Sequence, residues 1–225
     1  MPKVLVTGAA GFIGSHTCWS LIENGYEVYA IDSLINGSFE SINRINKFLS
    51  SKGHKRKIKF FKLDLCDFKS LEKFFKRICK NENFFDGVIH FASLKSVNES
   101  FQDPIKYWDN NLISSINLLK LIDKFRVSCF VFSSSATVYG KHHKSPISED
   151  FLANPINPYG ETKLSIENFL KSINDSKNYN LKVANLRYFN PIGAHNSSLI
   201  GENPIGTPSN IFPILCNVAI GQIRE

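Results

Sequence analysis

The 225-residue sequence predicts an α/β fold, a doubly wound parallel sheet flanked by helices. Three observations carry that prediction. Short, nearly continuous apolar runs alternate with longer segments of helical period, and such runs suit strands covered on both faces. A glycine-rich turn separates the first run from the first helical segment. Hydrophobic residues make up 43% of the chain and aromatic residues 12%, enough to fill one sizeable core.

Taken in order, the strands are "KVLVT" (3–7), "EVYAID" (27–32), "IKFFKL" (58–63), "FDGVIHF" (85–91), "CFVF" (129–132) and "LKVANLRY" (181–188). All six read as buried. A helix follows the glycine turn at 7–16. The clearest helix is "DPIKYWDNNLISSINLLKLIDKF". Asp103 can cap it, Pro104 suits its first position, and Ile105, Trp108, Leu112, Ile116 and Leu119 recur at helical spacing. "NPYGETKLSIENFL" opens the same way, with Asn157 as cap and Pro158 next. After Asn190 the pattern turns to loop. A last helical stretch begins near Ile211 and runs toward the C-terminus.

The bulk properties exclude several classes. No apolar run reaches membrane length, and the N-terminus enters a strand at once, so neither a membrane span nor a secretory signal is expected. Five cysteines (Cys18, Cys66, Cys79, Cys129, Cys216) have no paired spacing. They read as reduced thiols in a cytoplasmic protein, with no zinc or other metal site. The net charge is +7, and the densest basic run is "SSKGHKRKIKFFK" (50–62). It lacks any nucleic-acid signature and reads as a solvated connection.

The turn "TGAAGFIGSH" places Gly8, Gly11 and Gly14 three apart, between a strand and a helix. Glycine allows the tight turn and lets backbone N–H groups approach a pyrophosphate, with the positive end of the helix behind it. The second strand ends in Asp32. A carboxylate there accepts bonds from an adenosine ribose and repels a 2′-phosphate. The expected fold is therefore Rossmann-type, and the expected cofactor NAD.

Tyr159 and Lys163 are four apart in a helical segment, so they share a face. Alone they could be a surface pair. Upstream, "SSSATVYG" puts three hydroxyls at the end of a buried strand, as if something polar sat above it. A free tyrosine has a pKa of about 10, so only about a thousandth is phenolate at pH 7. A nearby ammonium favours the phenolate, and a drop of about three units corresponds to roughly 4 kcal/mol. Tyr159 then becomes a plausible base for a sugar hydroxyl, with one serine, Ser135, facing the reacting carbinol.

These residues resemble the extended short-chain dehydrogenase/reductases, and among them the 4-epimerases of UDP-sugars. The stretches that carry the resemblance are "VLVTGAAGFIGSHT", "VIHFASLKSV", "YWDNNL", "SSSATVYG", "PYGETKL" and "LRYFNPIGAH", spread from Val4 to about Asn210. The resemblance implies interconversion of UDP-glucose and UDP-galactose by transient oxidation at sugar C4, with NAD retained. It implies a catalytic group of Ser135, Tyr159 and Lys163. Phe12 and Ile13 would join the glycines at the pyrophosphate. Asp32, Ser33, Leu34, Ile35, Asn36 and Gly37 would wrap the adenosine ribose, and Asp64 and Leu65 would border the adenine. Phe91, Ala92, Ser93, Leu94, Lys95 and Asn110 would line the cofactor, and Phe189 would pack near the nicotinamide. Lys95, Ser135, Tyr159, Asn190, Asn210 and Ile211 would meet the UDP-sugar. Residues 1–189 would form the NAD-binding domain and 190–225 the start of a substrate-binding region. The family pattern extends beyond Glu225 and forms homodimers through the two long helices, with Leu118 and Leu164 as outward candidates.

Two other activities stay open: an NAD-binding remnant without turnover, and another extended reductase on nucleotide sugars. Sugar-nucleotide dehydratases carry an acidic pair where this chain has Ala136 and Thr137. Two residues depart from the family pattern. Ser93 stands where glycine is usual, and Asn185 falls in a strand that is usually apolar. A buried amide without partners costs about 1–3 kcal/mol, so Asn185 must find partners or face outward.

Overall fold

The computed structural model describes residues 1–80, 84–141, 145–176, 178–204, 208 and 210–223. In chain order its elements are β1 (Lys3–Thr7), α1 (Phe12–Glu23), β2 (Glu27–Asp32), α2 (Phe39–Ser51), β3 (Lys59–Lys62), α3 (Phe68–Ile78), β4 (Gly87–His90), α4 (Val97–Gln102), α5 (Pro104–Lys124), β5 (Cys129–Ser135), α6 (Pro158–Asp175), β6 (Lys182–Tyr188) and α7 (Ile211–Ala219). A short 3-10 turn, Ala136–Tyr139, follows β5. The strands form one six-stranded sheet in the order β3-β2-β1-β4-β5-β6. This is the expected Rossmann-type α/β arrangement.

The chain divides into two compact units, Met1–Lys62 with Asn190–Glu225, and Leu63–Phe189. In the first, β1 and β2 run parallel with Lys3 opposite Glu27 and Thr7 opposite Ile31. Leu5, Val6, Val28 and Ile31 are fully buried, as are Cys18 and Trp19 of α1 and Ile42 and Ile45 of α2, with Leu49 nearly so. The α2 trio sits at i, i+3 and i+7, one helix face. Ser38 caps that helix by accepting from the Glu40 N–H. Most of the basic run 52–62 is exposed, as expected of a solvated connection. Its exit is pinned by Asn46, whose side chain both donates to and accepts from the Ile58 backbone, at 3.0 and 2.8 Å. The segment after Asn190 belongs to this unit: His195 stacks on Trp19 with centroids 3.6 Å apart, and Arg44 donates to the Leu199 carbonyl.

In the second unit, β4, β5 and β6 are parallel, with Val88 opposite Phe130 and Ser135 opposite Tyr188. The caps fall where the sequence puts them. Asp103 accepts from the Lys106 N–H at 3.1 Å and Asn157 from the Gly160 N–H at 2.7 Å, each followed by proline. Each cap satisfies one of the helix's orphan donors. Phe74, Phe75 and Phe85 cluster over α3, and Phe130 and Phe132 fill β5's buried face.

Four expectations need correction. β3, at one end of the strand order, is not a buried strand: Lys59 and Lys62 are exposed and Phe60 and Phe61 only partly buried. β5 does not stop at Phe132 but runs through the three serines, because their backbones pair with Leu186, Arg187 and Tyr188. Strand pairing uses main-chain groups, so serine side chains do not end it once they have partners of their own. β6 is not a buried strand: Lys182, Ala184, Asn185 and Leu186 are exposed. It is the last strand in the sheet order, where apolar letters do not guarantee cover. Asn185 therefore faces outward. Leu118 is fully buried, not outward. The inward face of α5 is partly polar, with Asn111, Ser114, Ser115 and Asn117 all buried, while Ile105, Trp108 and Ile113 are exposed.

Among the described residues no helix is long and apolar enough to cross a membrane, and no cluster of three or more His, Cys, Asp or Glu could hold a metal. All five cysteines are free.

Candidate active site

The first unit holds the glycine turn. Gly8 has φ 65°, a left-handed conformation that costs other residues strain. A Cβ on Gly14 would lie 2.1 Å from the Gly8 carbonyl oxygen, so helix α1 and the turn pack at a distance only glycine permits. Gly11 is the N-cap of α1 and has no side chain to cap it. Phe12, Ile13 and Gly14 are its first three residues. An α-helix leaves its first N–H groups without internal acceptors. Here no capping side chain meets them, an arrangement suited to an external anion.

Asp32 closes the loop from the side. Its Oδ2 accepts from the Ala10 N–H at 2.9 Å, and its Oδ1 from the Leu34 N–H at 2.8 Å. Burial pushes its carboxyl above the usual range, and those two backbone bonds oppose the shift. Each oxygen keeps a lone pair for a ribose hydroxyl. Ser33, Leu34 and Gly37 are partly buried and Ile35 and Asn36 exposed, forming a rim after Asp32. The same unit brings Asn190, Asn210 and Ile211 together around a small concavity of about 160 Å³, with Pro191, Ile192, Glu202 and Phe212. Asn210 donates to the Glu202 carboxylate.

The second unit holds Tyr159 and Lys163, and the last three residues of β5 face α6. The Ser133 carbonyl accepts from Lys163 Nζ at 2.8 Å. The Ser134 hydroxyl bonds the Glu167 carboxylate, which also takes two bonds from Arg187 at 2.7 and 3.0 Å. Ser135 lies near enough to the Tyr159 hydroxyl to favour its ionised form. Its Oγ accepts from the Thr137 N–H and hydroxyl, at 3.2 and 3.0 Å. Of the three side chains, the Ser134 hydroxyl is the one bonded to α6, while the Ser133 contact is made by the main chain.

Burial sets the charges. Lys163 lies in the interior, and burial alone pulls its pKa from 10.5 to about 7. Tyr159 is pushed above 10 by burial, against the lowering effect of the nearby Ser135 hydroxyl. An ammonium near the phenol was expected to dominate; in the protein by itself, desolvation does. An added positive charge is what would reverse the balance. Tyr159 packs with Leu94 and Tyr107, the two tyrosine rings edge-on at 6.4 Å. Tyr107 is itself fixed, accepting from the Ser96 N–H at 2.9 Å and donating to Glu99 at 2.8 Å.

Of the other expected residues of this unit, Leu65 and Leu94 are buried, and Phe91, Ala92, Ser93 and Asn110 are partly buried. Asp64, Lys95 and Phe189 are exposed. Ser93 bonds Lys163. Asn110 touches Cys66, with Nδ2 and Sγ 3.7 Å apart.

Two supporting residues were missed. Asn111 accepts from the Leu94 N–H at 2.8 Å, and donates to the Leu94 carbonyl at 3.2 Å and to Thr162 at 3.1 Å. It ties the 91–95 loop to α6. Asn117 donates to the carbonyls of Leu65 and Cys66 and fixes the 64–66 loop. A signal existed: asparagines on a helix otherwise reaching for the core must be paired.

Comparison with known proteins agrees with this geometry. A family model described as GDP-mannose 4,6 dehydratase matches residues 5–225. UDP-glucose 4-epimerase of Bacillus subtilis is 44% identical over 222 residues, covering 99% of this chain and 62% of that protein. The Pisum sativum UDP-glucose 4-epimerase is 43% identical with the same coverage. The crystal structure of UDP-glucose-4-epimerase from Stenotrophomonas maltophila, with bound NAD and formylated UDP-arabinopyranose, superposes with TM-score 0.90 at 41% identity, over 100% of this chain and 64% of that one. The Bifidobacterium longum enzyme in complex with NAD+ and UDP gives TM-score 0.88, also at 41%, over 99% and 64%. The chain thus spans about 62% of the length of these curated relatives. With a model that takes in all but its first four residues, the chain belongs to the GDP-mannose 4,6 dehydratase family, and its relatives there include UDP-glucose 4-epimerases.

Proposed function

We propose that the chain carries the cofactor-binding and acid–base part of an NAD-dependent epimerase that interconverts UDP-glucose and UDP-galactose at C4. The observation that carries the reading is the burial together of Ser135, Tyr159 and Lys163, with the serine favouring the ionised form of the tyrosine and the lysine one turn on. Solved relatives hold NAD with UDP or a UDP-sugar derivative. The residues here fit NAD. The glycine turn leaves a bare helix N-terminus for a pyrophosphate, and Asp32 presents two oxygens to a ribose. Bound NAD supplies a hydride acceptor at C4 and a positive charge.

The chain's own residues do the rest. Tyr159 takes the proton of the sugar 4-hydroxyl and later returns it. Ser135 shares that proton and orients the phenol. Lys163 holds the nicotinamide ribose and favours the phenolate. Phe12, Ile13, Asp64, Leu65, Asn110 and Phe189 shape the cofactor's surroundings, while Lys95, Asn190, Asn210 and Ile211 receive the sugar nucleotide. In this division 1–189 serves the cofactor and 190–225 begins the substrate region. Ala136 and Thr137 speak against a dehydratase, which needs acidic side chains there.

A second copy of the chain is the proposed partner. Ile105, Trp108 and Ile113 of α5 and Phe169 of α6 are exposed apolar residues on the two long helices. The scattered free cysteines support a cytoplasmic setting. NAD binding without turnover is the second reading, favoured by the chain's 62% span of its relatives. Incubation with UDP-galactose, with UDP-glucose formation and NAD content measured together, decides. Both present supports the epimerase, NAD alone supports the binding module, and neither overturns both.

A further inference from the structure

Lys163 is 1% exposed and sits among aromatic faces, its Nζ 4.9 Å from the Phe132 centroid and 5.8 Å from that of Tyr159. A buried ammonium needs oxygens. Two of its three donors are engaged, one by the Ser133 carbonyl at 2.8 Å and one by the Ser93 hydroxyl at 2.9 Å. The carbonyl belongs to the main chain of β5 and survives any side-chain change. The hydroxyl depends on residue 93 alone. Asn111 clamps the neighbouring Leu94 backbone from both sides, so the loop that presents Ser93 is fixed.

We infer that Ser93 is a positioning residue, whose hydroxyl anchors the Lys163 amine and keeps it charged in a place where the Ser133 carbonyl alone does not suffice. This rests on the reading of Lys163 as part of the catalytic group. The other titratable groups around the lysine do not take over the task. Tyr159, one turn earlier on α6, is neutral by burial. His90 of β4 is held neutral by burial, its pKa pulled down to about 3. Tyr107 of α5 donates to Glu99. Glu167, one turn later on α6, is bound by Arg187 and Ser134. Among the described residues no carboxylate is paired with Lys163.

The magnitude is what makes the contact matter. Burial pulls the lysine down to about 7, so its charge near neutral pH is sensitive to each partner it keeps. Losing a hydrogen bond to the charged form lowers the midpoint by about one unit and shifts the balance toward the neutral amine. Tyr159 then loses its nearby cation at physiological pH.

The test is a pH titration of the ligand-free chain carrying ¹³C-labelled lysine, with the Lys163 signal assigned by its loss in Lys163→Met. Ser93→Gly and Ser93→Ala should lower the titration midpoint by about one unit, and Ser93→Thr, which keeps the hydroxyl, should restore it. Glycine adds no atom to the loop, so folding is retained in at least that variant. Midpoints equal to wild type in both hydroxyl-free variants overturn the inference. NAD affinity measured by calorimetry from pH 6 to 9 adds the functional arm: its decline with rising pH should begin about one unit earlier in Ser93→Gly. Lys163→Met keeps the two failures apart. If it binds NAD like wild type throughout, the assignment of Lys163 to the cofactor falls. The titration of Ser93→Gly still decides whether Ser93 anchors the amine.

Discussion

The surroundings of Tyr159 and Lys163 in the second unit and the Asn190–Ile223 stretch of the first are built in opposite ways. Around Tyr159 and Lys163 polar atoms are partnered: the Ser133 carbonyl, the Ser134 and Ser135 hydroxyls, Asn111 and Tyr107 all have named bonds. In the other stretch Ile192, Ile211, Leu215 and Ile220 are all more than half exposed. The comparison teaches where rigidity is needed. On the proposed reading, a base must meet its proton within a few tenths of an ångström, which fits supports locked in the core of one unit. On the same reading, residues that only contact a sugar nucleotide can stand on a surface.

The sharpest way to break the contrast is Tyr159→Phe in the turnover-competent enzyme. The ring packing against Leu94 and Tyr107 survives and only the hydroxyl is lost. Turnover should fall at least about a hundredfold, the scale of a removed positioned base, with fold and NAD content unchanged. Near-normal epimerisation in this variant would mean that Ser135 carries the proton transfer.

Next is Asn111→Ala, which tests whether the locked half depends on its supports. Asn111 is fully buried with three hydrogen bonds. Its removal strands the Leu94 N–H and carbonyl, at a cost of about 1–3 kcal/mol in urea unfolding. A loss below about half a kcal/mol would show the loop to be held by other means.

Lys163→Met has a smaller effect of opposite sign. The folded-state pKa of the lysine, about 7, lies below its ordinary 10.5. Between those values the unfolded chain binds more protons, so the lysine's contribution to stability rises with pH across that window. Below about pH 7 both states are protonated and the cost of burying the charge is complete. Methionine removes that cost, and the variant should gain on the order of 1 kcal/mol near pH 7 while losing turnover and cofactor affinity. Urea midpoints from pH 6 to 10 check the sign. Parallel pH profiles for the two proteins would refute it.

How much of this was legible in the sequence follows from how far apart the partners lie. The glycine turn, the Asp103 and Asn157 caps, and the Tyr159–Lys163 pair have fixed offsets of a few residues, and all were readable. The links made by Asn111 reach across 17 and 51 residues, and that of Asn117 to Leu65 across 52, with no local pattern to reveal them. Cover is equally non-local. "LKVANLRY" has the letters of a buried strand, but its place at the end of the strand order leaves its middle exposed. Leu118, an outward candidate through the resemblance, was misplaced for a related reason: which apolar residues of α5 stay outside depends on what packs against the helix, and α5 also turns polar asparagines and serines inward.

The smallest effect belongs to the exposed stretch, and it tests the other half of the contrast. Ile211 begins α7 and is 68% exposed, beside Asn190 and Asn210 at the small concavity. Complete burial of such a side chain stabilises by about 1.5–3 kcal/mol, so a side chain two-thirds in water contributes about 0.5–1 kcal/mol. Ile211→Ser should therefore change the unfolding free energy of the chain by no more than about 1 kcal/mol. If the residue meets the sugar nucleotide, the same substitution should raise the KM for UDP-galactose severalfold and leave kcat nearly unchanged, because a contact made equally in ground and transition states affects binding alone. A stability loss above about 1 kcal/mol would show that the stretch is held by packing its exposure does not reveal. An unchanged KM would remove Ile211 from the substrate's surroundings. Either result would erase one side of the difference between a locked acid–base group and an open contact surface.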